Sequence, residues 1–308
     1  MEWTHKDLLG INLLTGEEIE YLLERGNYFR GFLDSSPKKM KWGEGYYLVN
    51  FFLEPSTRTR VSFEMAGRLS GMEVVNFTTE ISSFQKGENL EDTAKTLARM
   101  KFNVLVARHR QSGIVEYLAQ LLPLHVINAG DGMREHPTQA LLDLLTLQRK
   151  FGYFKGLKVA IVGDILHSRV ARSLTLGLKK LGAEVFLSGP PTLLPPAMES
   201  LGGKIVFPVE KAVEGVDVIY ILRIQKERQE AGYFPSVREY AHFFGWKEKW
   251  LNKENSGPFI MHPGPINRGV EIGYNLEGEK FSLIEEQVTC GVAIRMAVLE
   301  TLLQGETQ

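Results

Sequence analysis

Residues 46–53 read YYLVNFFL, and residues 54–60 directly after them read EPSTRTR. An apolar run this continuous, broken only by Asn50, marks a strand covered on both faces, as in a parallel sheet. The polar stretch behind it predicts a helix over 56–69, with Gly71 as its stop. Further along, the pattern predicts a strand at 73–77, a helix at 90–100 and a strand at 102–107. Ser112 is placed to cap a helix through residue 122, and a short strand follows at 125–128. Upstream, Thr15 with Glu18 three residues on is a capping box, and Ile19, Leu22 and Leu23 begin an apolar helix face behind it. Strand and helix alternate, which predicts a parallel sheet covered by helices.

A second alternating series fills the rest of the chain. Pro137 suits the first turn of a long helix reaching about residue 150. Residues 157–162 (LKVAIV) read as a buried strand, and 169–181 as a helix ended by Gly182. Strands are predicted at 184–187, 216–222 and 259–262, and the final helix spans 285–303. The 308 residues exceed the usual size of one domain. The fold class predicted is therefore α/β, with two doubly wound parallel-sheet domains joined by helices.

Composition removes several functions. Hydrophobic residues make up 44% and charged residues 24%, with a net charge of −1, so no global basic field exists for nucleic acid or an anionic membrane. No apolar segment approaches the roughly 20 residues of a membrane span. Residues 1–14 carry Glu2, His5, Lys6 and Asp7 and lack the apolar run of a signal peptide. The single cysteine, Cys290, fits a reducing compartment, here the cytoplasm, and its apolar helix makes it a core thiol.

In doubly wound sheets, ligands bind beyond the carboxyl ends of the strands. After the first buried strand come Ser56, Thr57, Arg58, Thr59 and Arg60, three hydroxyls and two guanidinium groups at the start of a helix. Helix N-termini offer unpaired N–H groups, and guanidinium forks bind phosphate bidentately, so this turn is a candidate anion site. Arg108 and Arg110, Arg169, Arg223 and Arg268 occupy comparable places after later strands. A cleft that concentrates positive charge for an anionic substrate accounts for the recurrence. No P-loop is present, Gly163 stands without a dinucleotide fingerprint, and no Gly-x-Ser-x-Gly elbow occurs. The seven histidines form no ligand-spaced cluster, so no metal site is suggested. Positioning and electrostatic stabilisation of an activated anion remain.

Taken together, these motifs resemble the transcarbamoylase family. Ser56-Thr57-Arg58-Thr59-Arg60 is similar to its carbamoyl-phosphate signature. Five further segments resemble the aspartate-specific catalytic chains. Gln85-Lys86-Gly87-Glu88 comes first, then Asn128-Ala129-Gly130-Asp131-Gly132 leading to His136-Pro137-Thr138-Gln139. Val162-Gly163-Asp164 with His167-Ser168-Arg169 is the third. Arg223-Ile224-Gln225-Lys226-Glu227-Arg228 and Met261-His262-Pro263-Gly264-Pro265 complete the set. The ornithine-specific members share the first signature but typically carry His-Cys-Leu-Pro late in the chain, where this sequence has His262-Pro263-Gly264-Pro265 and no cysteine. A non-enzymatic anion-binding protein of the same fold is the alternative from another class.

The resemblance implies transfer of a carbamoyl group from carbamoyl phosphate to L-aspartate in pyrimidine biosynthesis. It implies that Ser56, Thr57, Arg58, Thr59 and Arg108 hold the phosphate, with His136 at the carbonyl oxygen and Gln139 near the carbamoyl nitrogen. Arg58, Thr59, His136 and Lys86 are the catalytic positions. Lys86, Arg169, Arg223, Gln225, Gly264 and Pro265 would meet aspartate, with a cis peptide between the last two. Glu54 resembles an acid that pairs with Arg169 and Arg228 on domain closure; from the residues alone it is an ordinary helix-entry charge. The domains implied are 1–140 plus 290–308 for carbamoyl phosphate and 141–289 for aspartate. A homotrimer is implied, with Ser82 and Lys86 reaching a neighbour's site; spacing back from Lys86 selects Ser82 over Ser83. No metal or organic cofactor is implied. Association with regulatory chains or a dihydroorotase stays open.

Overall fold

In the computed structural model, which describes residues 3–35, 38–78, 89–225, 236–251, 258–273, 276 and 280–304, the run at 46–53 becomes strand β1, Tyr47–Phe52. Every residue of β1 after Tyr47 is buried, because it is flanked on both sides. β2 (Glu73–Thr78) pairs along one edge and β3 (Val104–His109) along the other, with β4 (His125–Asp131) beyond β3. All three pairings are parallel, so each needs a crossover. Helices α2 (Thr57–Ser70), α3 (Leu90–Arg99) and α4 (Ile114–Leu121) supply them.

Alternation along β1 sends Val49 and Phe51 to one face, where with Leu105, Ala107 and Val126 they pack against Ala94, Leu97, Val115 and Leu118 of α3 and α4. Leu48 turns to the opposite face, toward α2. Gly67 lets that helix come close: an added Cβ would stand 2.7 Å from Val74 Cγ2. Asn50, the polar interruption, donates to Asn76 Oδ1 of β2 at 2.9 Å, and Asn76 donates on to Glu64 of α2 at 2.8 Å. This lateral chain gives the nitrogen of a fully buried amide its partner, while Asn50 Oδ1 has none among the described residues. The predicted stop of α2 is present, with Gly71 left-handed at φ 100°.

Internal contacts divide the chain into Met1–Leu145 with Thr289–Gln308, and Thr146–Val288. The divisions fall inside two helices, α5 (Pro137–Phe151) and α9 (Ile284–Gln304). In the first unit, α1 (Gly16–Asp34) opens with the expected reciprocal cap. Glu18 N donates to Thr15 Oγ1 at 3.1 Å, and Thr15 N donates to Glu18 Oε2 at 2.7 Å. The N-terminal segment pairs with the outer edge of β4: Leu8 N donates to Val126 O, and Asn128 N to Leu8 O. That edge is thereby closed to other chains.

The second unit repeats the plan. β5 (Lys158–Val162) lies between β6 (Glu184–Ser188) and β8 (Val218–Ile221), with β7 (Gly203–Ile205) and β9 (Phe259–Met261) at the two edges. Its pairings are also all parallel. α6 (Arg169–Lys180), α7 (Val209–Ala212) and α8 (Val237–Phe244) are its remaining helices. One face of the sheet, through Ala160, Val162, Ile219, Ile221 and Ile260, packs against Val209, Val213, Trp250 and Ile284. Among the described residues no helix is long and apolar enough to cross a membrane.

The structure corrects several sequence expectations. Arg108 does not follow β3 but belongs to it, in register with Phe52, because pairing with β1 carries the strand to Arg108 and pairing with β4 carries it to His109. Ser112 does not cap α4. Gly113 stands at the cap position with φ 90°, its N–H held by the Asp131 carboxylate at 3.0 Å, while Ser112 Oγ accepts from Met133 N. The strand expected at 125–128 runs on to Asp131. β7 was not foreseen, being three residues long and apolar only at Ile205. Cys290 is buried and free, and the cis bond at Gly264–Pro265 is present, with another at Phe207–Pro208.

Gly67→Val is expected to overpack α2 on the sheet, at a cost of about 1–3 kcal/mol. Urea unfolding should show a lowered midpoint at unchanged slope.

Candidate active site

In the order β2-β1-β3-β4 the connection leaving β1 runs to β2 on one side and the connection leaving β3 runs to β4 on the other, so the order reverses between β1 and β3. The crevice this opens lies at the carboxyl end of β1, where the 54–60 turn begins. Ser56 is the extended N-cap of α2, yet it makes no side-chain cap, and no acidic residue lies in the first turn. By contrast α1, α3 and α6 are capped by Thr15, Asn89 and Ser168. Ser56 Oγ instead donates to Thr59 Oγ1 at 3.0 Å. The first N–H groups of α2 thus keep their positive end free for an anion. Arg58 is exposed and makes no ion pair among the described residues.

Arg108 reaches the same end because β3 pairs with β1: Leu53 N donates to Arg108 O at 2.9 Å. Its guanidinium is largely buried and joins two strand ends. Nη1 donates to Ala129 O after β4's midpoint, and Nη2 donates to Glu54 Oε1, both at 3.0 Å. Glu54 is therefore the partner of Arg108 in this structure. Beyond β4, Asp131 N donates to Glu135 O and Arg134 N to Asp131 O, closing a turn that delivers His136 to the start of α5. Pro137 costs this helix nothing at its first position, since the missing N–H is one that no helix satisfies. Gln139 N and Ala140 N both donate to His136 O. His136 and Gln139 are buried, and Gln139 Nε2 donates to Asp143 Oδ1 at 3.1 Å. The first unit thus gathers Glu54, Ser56–Arg60, Arg108, His136 and Gln139 on the ends of β1, β3 and β4.

In the second unit the reversal of order falls at β5. Asp164 follows that strand fully buried and ties two loops: it accepts from His167 Nδ1 at 2.9 Å and from Gln225 N at 3.3 Å. Ser168 caps α6 through Ala171 N, which fixes Arg169 as the buried first residue of that helix. Arg223 and Gln225 lie in the segment after β8, where Leu222 N donates to Val162 O. The loop after β9 is braced by His262, whose Nδ1 accepts from Gly264 N at 2.8 Å while Nε2 faces Glu271 Oε1 at 3.5 Å. Glu271 also accepts from Asn267 N at 2.6 Å. Arg169, Arg223, Gln225, Gly264 and Pro265 therefore stand on the ends of three neighbouring strands. Tyr240 packs beneath them, and burial, reinforced by the Asp164 and Glu271 charges, pushes its phenol well above the usual range. Ser82, Lys86 and Arg228 lie outside the described residues.

Sequence reading missed Asp143, Glu271, Tyr240 and Arg295, which support these groups from behind. Only Asp143 left a local signal, one helical turn after Gln139.

Two family models match the chain in succession. The carbamoyl-P binding domain of aspartate/ornithine carbamoyltransferase matches residues 6–149, and the Asp/Orn binding domain matches 155–302. Among curated relatives, the aspartate carbamoyltransferase catalytic subunit of Moorella thermoacetica is 50% identical over 99% of this chain and 99% of its own. That of Desulforamulus reducens is 50% identical over 99% of this chain and 98% of its own. Among solved structures, the catalytic subunit of M. jannaschii aspartate transcarbamoylase is similar with a TM-score of 0.85 at 32% identity, covering 97% of this chain and 98% of that one. Aspartate transcarbamoylase from Trypanosoma cruzi in complex with N-(phosphonacetyl)-L-aspartic acid is similar with a TM-score of 0.88 at 29% identity, covering 96% and 95%. With both domain models matched in order and relatives spanning nearly its whole length, the chain belongs to the aspartate/ornithine carbamoyltransferase family.

Proposed function

We propose that this chain transfers the carbamoyl group of carbamoyl phosphate to the α-amino group of L-aspartate, giving N-carbamoyl-L-aspartate and phosphate, in de novo pyrimidine biosynthesis. The observation that carries the reading is the full-length likeness to aspartate carbamoyltransferase catalytic subunits. The cysteine-free His262-Pro263-Gly264-Pro265 loop supports aspartate over ornithine. Incubating the purified chain with carbamoyl phosphate and either amino acid tests it: carbamoyl aspartate is the expected product, and citrulline alone overturns the reading.

The chemistry asked of the site is electrostatic. As the amine attacks, charge grows on the carbonyl oxygen, and the C–O bond to phosphate breaks as the C–N bond forms. Ser56, Thr57, Arg58, Thr59 and Arg108 bind the phosphate at the open start of α2. Thr57, Arg58 and His136 face the carbonyl oxygen, where donors meet charge as it develops. His136 donates a hydrogen bond, and the departing phosphate takes the amine's proton. Glu54 occupies Arg108 in this structure, so phosphate must compete with a carboxylate for that guanidinium. Aspartate's carboxylates call for Arg169 and Arg223, whose forks match them bidentately, with Gln225, Gly264 and Pro265 alongside.

The chain works in the cytoplasm as a homotrimer, each site borrowing Ser82 and Lys86 from a neighbour. An apolar edge, unpaired among the described residues, supports this assembly: Val75 on edge strand β2 is 47% exposed, and Val61 and Met65 on α2 are 44% and 43% exposed.

Arg58→Ala is expected to keep the fold and to lose about 10²–10³ in turnover, as for an oxyanion donor. Steady-state rates with far-ultraviolet circular dichroism check both halves of that statement. Arg223→Ala should weaken aspartate binding while leaving carbamoyl phosphate binding within about twofold, since 1.4 kcal/mol is already tenfold. Calorimetry with each substrate decides it, and equal loss of both refutes the placement.

The shared site predicts complementation. Lys86→Ala and His136→Ala subunits should each form weakly active trimers. Mixed trimers regenerate complete sites, because a Lys86→Ala subunit keeps His136 and borrows Lys86 from its neighbour. Dissociated and reassembled mixtures, verified as hybrids by mass, should exceed either parent in activity.

A further inference from the structure

Gln139 lies in the first turn of α5, 9% exposed, and its side-chain amide has one protein partner among the described residues. That partner is Asp143, one turn along the same helix, whose Oδ1 accepts from Gln139 Nε2 at 3.1 Å. A carboxylate only accepts hydrogen bonds, so the contact dictates which way the amide stands: nitrogen inward, Oε1 away. Among the described residues no donor reaches that Oε1.

Asp143 is itself fully buried at 0% exposure, a depth at which a carboxylate needs compensating charge. Arg295 of α9, itself 3% exposed, acts on it electrostatically. Burial pushes its guanidinium down to about 10, and the Asp143 charge works against that fall. Nη1 donates to Gly291 O at 2.8 Å and to Ser62 Oγ at 3.0 Å, and the guanidinium lies 5.0 Å over the Phe63 ring. Gly291 makes the space, since an added Cβ would stand 2.8 Å from Nη1 and 3.3 Å from Leu142 Cδ2. Ser62 and Phe63 belong to α2, the helix whose start forms the anion turn. One buried cation therefore braces α2 and offsets the charge that fixes Gln139 on α5.

We propose that Asp143, supported by Arg295, sets acyl-group selectivity by locking Gln139 with its Oε1 toward the substrate. In that orientation the position accepts a hydrogen bond from an –NH2 and offers nothing to a methyl group in its place. This rests on the reading that puts Gln139 beside the carbamoyl nitrogen. A glutamine free to turn would present Nε2 half the time, donor against donor. Asp143 and Arg295 touch no substrate; they are positioning residues.

Binding of carbamoyl phosphate, acetyl phosphate and inorganic phosphate to the assembled protein tests it. The wild type is expected to prefer carbamoyl over acetyl phosphate. Asp143→Asn should cut that preference about tenfold, the usual scale for leaving a buried polar group mismatched, with inorganic phosphate binding within about twofold of wild type. That variant leaves Arg295 uncompensated, so Asp143→Asn with Arg295→Met, which removes both charges, is measured beside it and should show the same loss. A folded variant that keeps the wild-type preference overturns the proposal. So does parallel weakening of all three ligands, which is what a packing role predicts. A wild type with no preference overturns the reading of Gln139, and the proposal falls with it.

Discussion

β1 is a parallel strand with parallel neighbours on both sides, and each sheet edge grows away from it. The connection from β1 leaves toward β2 and that from β3 toward β4, so a crevice opens between the carboxyl ends of β1 and β3. What the sequence places there must be satisfied by solvent or by a ligand. Here it places a helix start without a side-chain cap, beside two arginines. The same constraint acts at β5, where Asp164 fills the corresponding position and spends its carboxylate on loop backbone and His167. One unit thus leaves its switch point cationic, while the other uses an anion to fix the loops that carry Arg169, Arg223 and Gln225.

Fixing cations in place takes buried counter-charges. Arg108 is drawn to the strand ends by Glu54 and Ala129 O, and the Asp143 charge acts on the buried Arg295. Largely buried ion pairs such as Arg108–Glu54 contribute little net stability once desolvation is counted. Their consequence here is geometric. Each holds a donor or acceptor at a strand or helix end with one orientation, which is what electrostatic catalysis requires, since reorganisation during the reaction would cost part of the stabilisation. Asn50 shows a related arrangement in the sheet, where the amide nitrogen of a residue inside an apolar strand is oriented through Asn76 and Glu64.

Much of this was legible in the sequence. The run at 46–53 announced a strand covered on both faces, Thr15 with Glu18 the start of α1, Gly71 the end of α2 and Pro137 the start of α5. Each signal is local, carried by a period of two, a turn of helix or a backbone angle that one residue type favours. The anion turn was legible for the same reason, since its hydroxyls and guanidinium groups are adjacent in sequence. Motif resemblance extended the reading to His136, Gln139 and the second-unit arginines, whose spacing alone says nothing of their meeting.

What only the tertiary structure decided depends on partners far apart in the chain. Arg108 is a strand residue because β1, more than fifty positions earlier, continues the ladder beside it. β7 exists because β6 offers it an edge, and Leu8 is a bridge residue because β4 does the same. Gly113 replaced Ser112 at the start of α4 because the Asp131 carboxylate had already reached its N–H. Arg295 meets the environment of Asp143 across 152 positions, and no helical period links them. Local signals fix elements because the atoms that make them are near neighbours in the chain, and the Gln139–Asp143 contact within one turn of α5 is of that kind; the pairing of Glu54 with Arg108, 54 positions away, was settled only when β1 and β3 came together in the sheet.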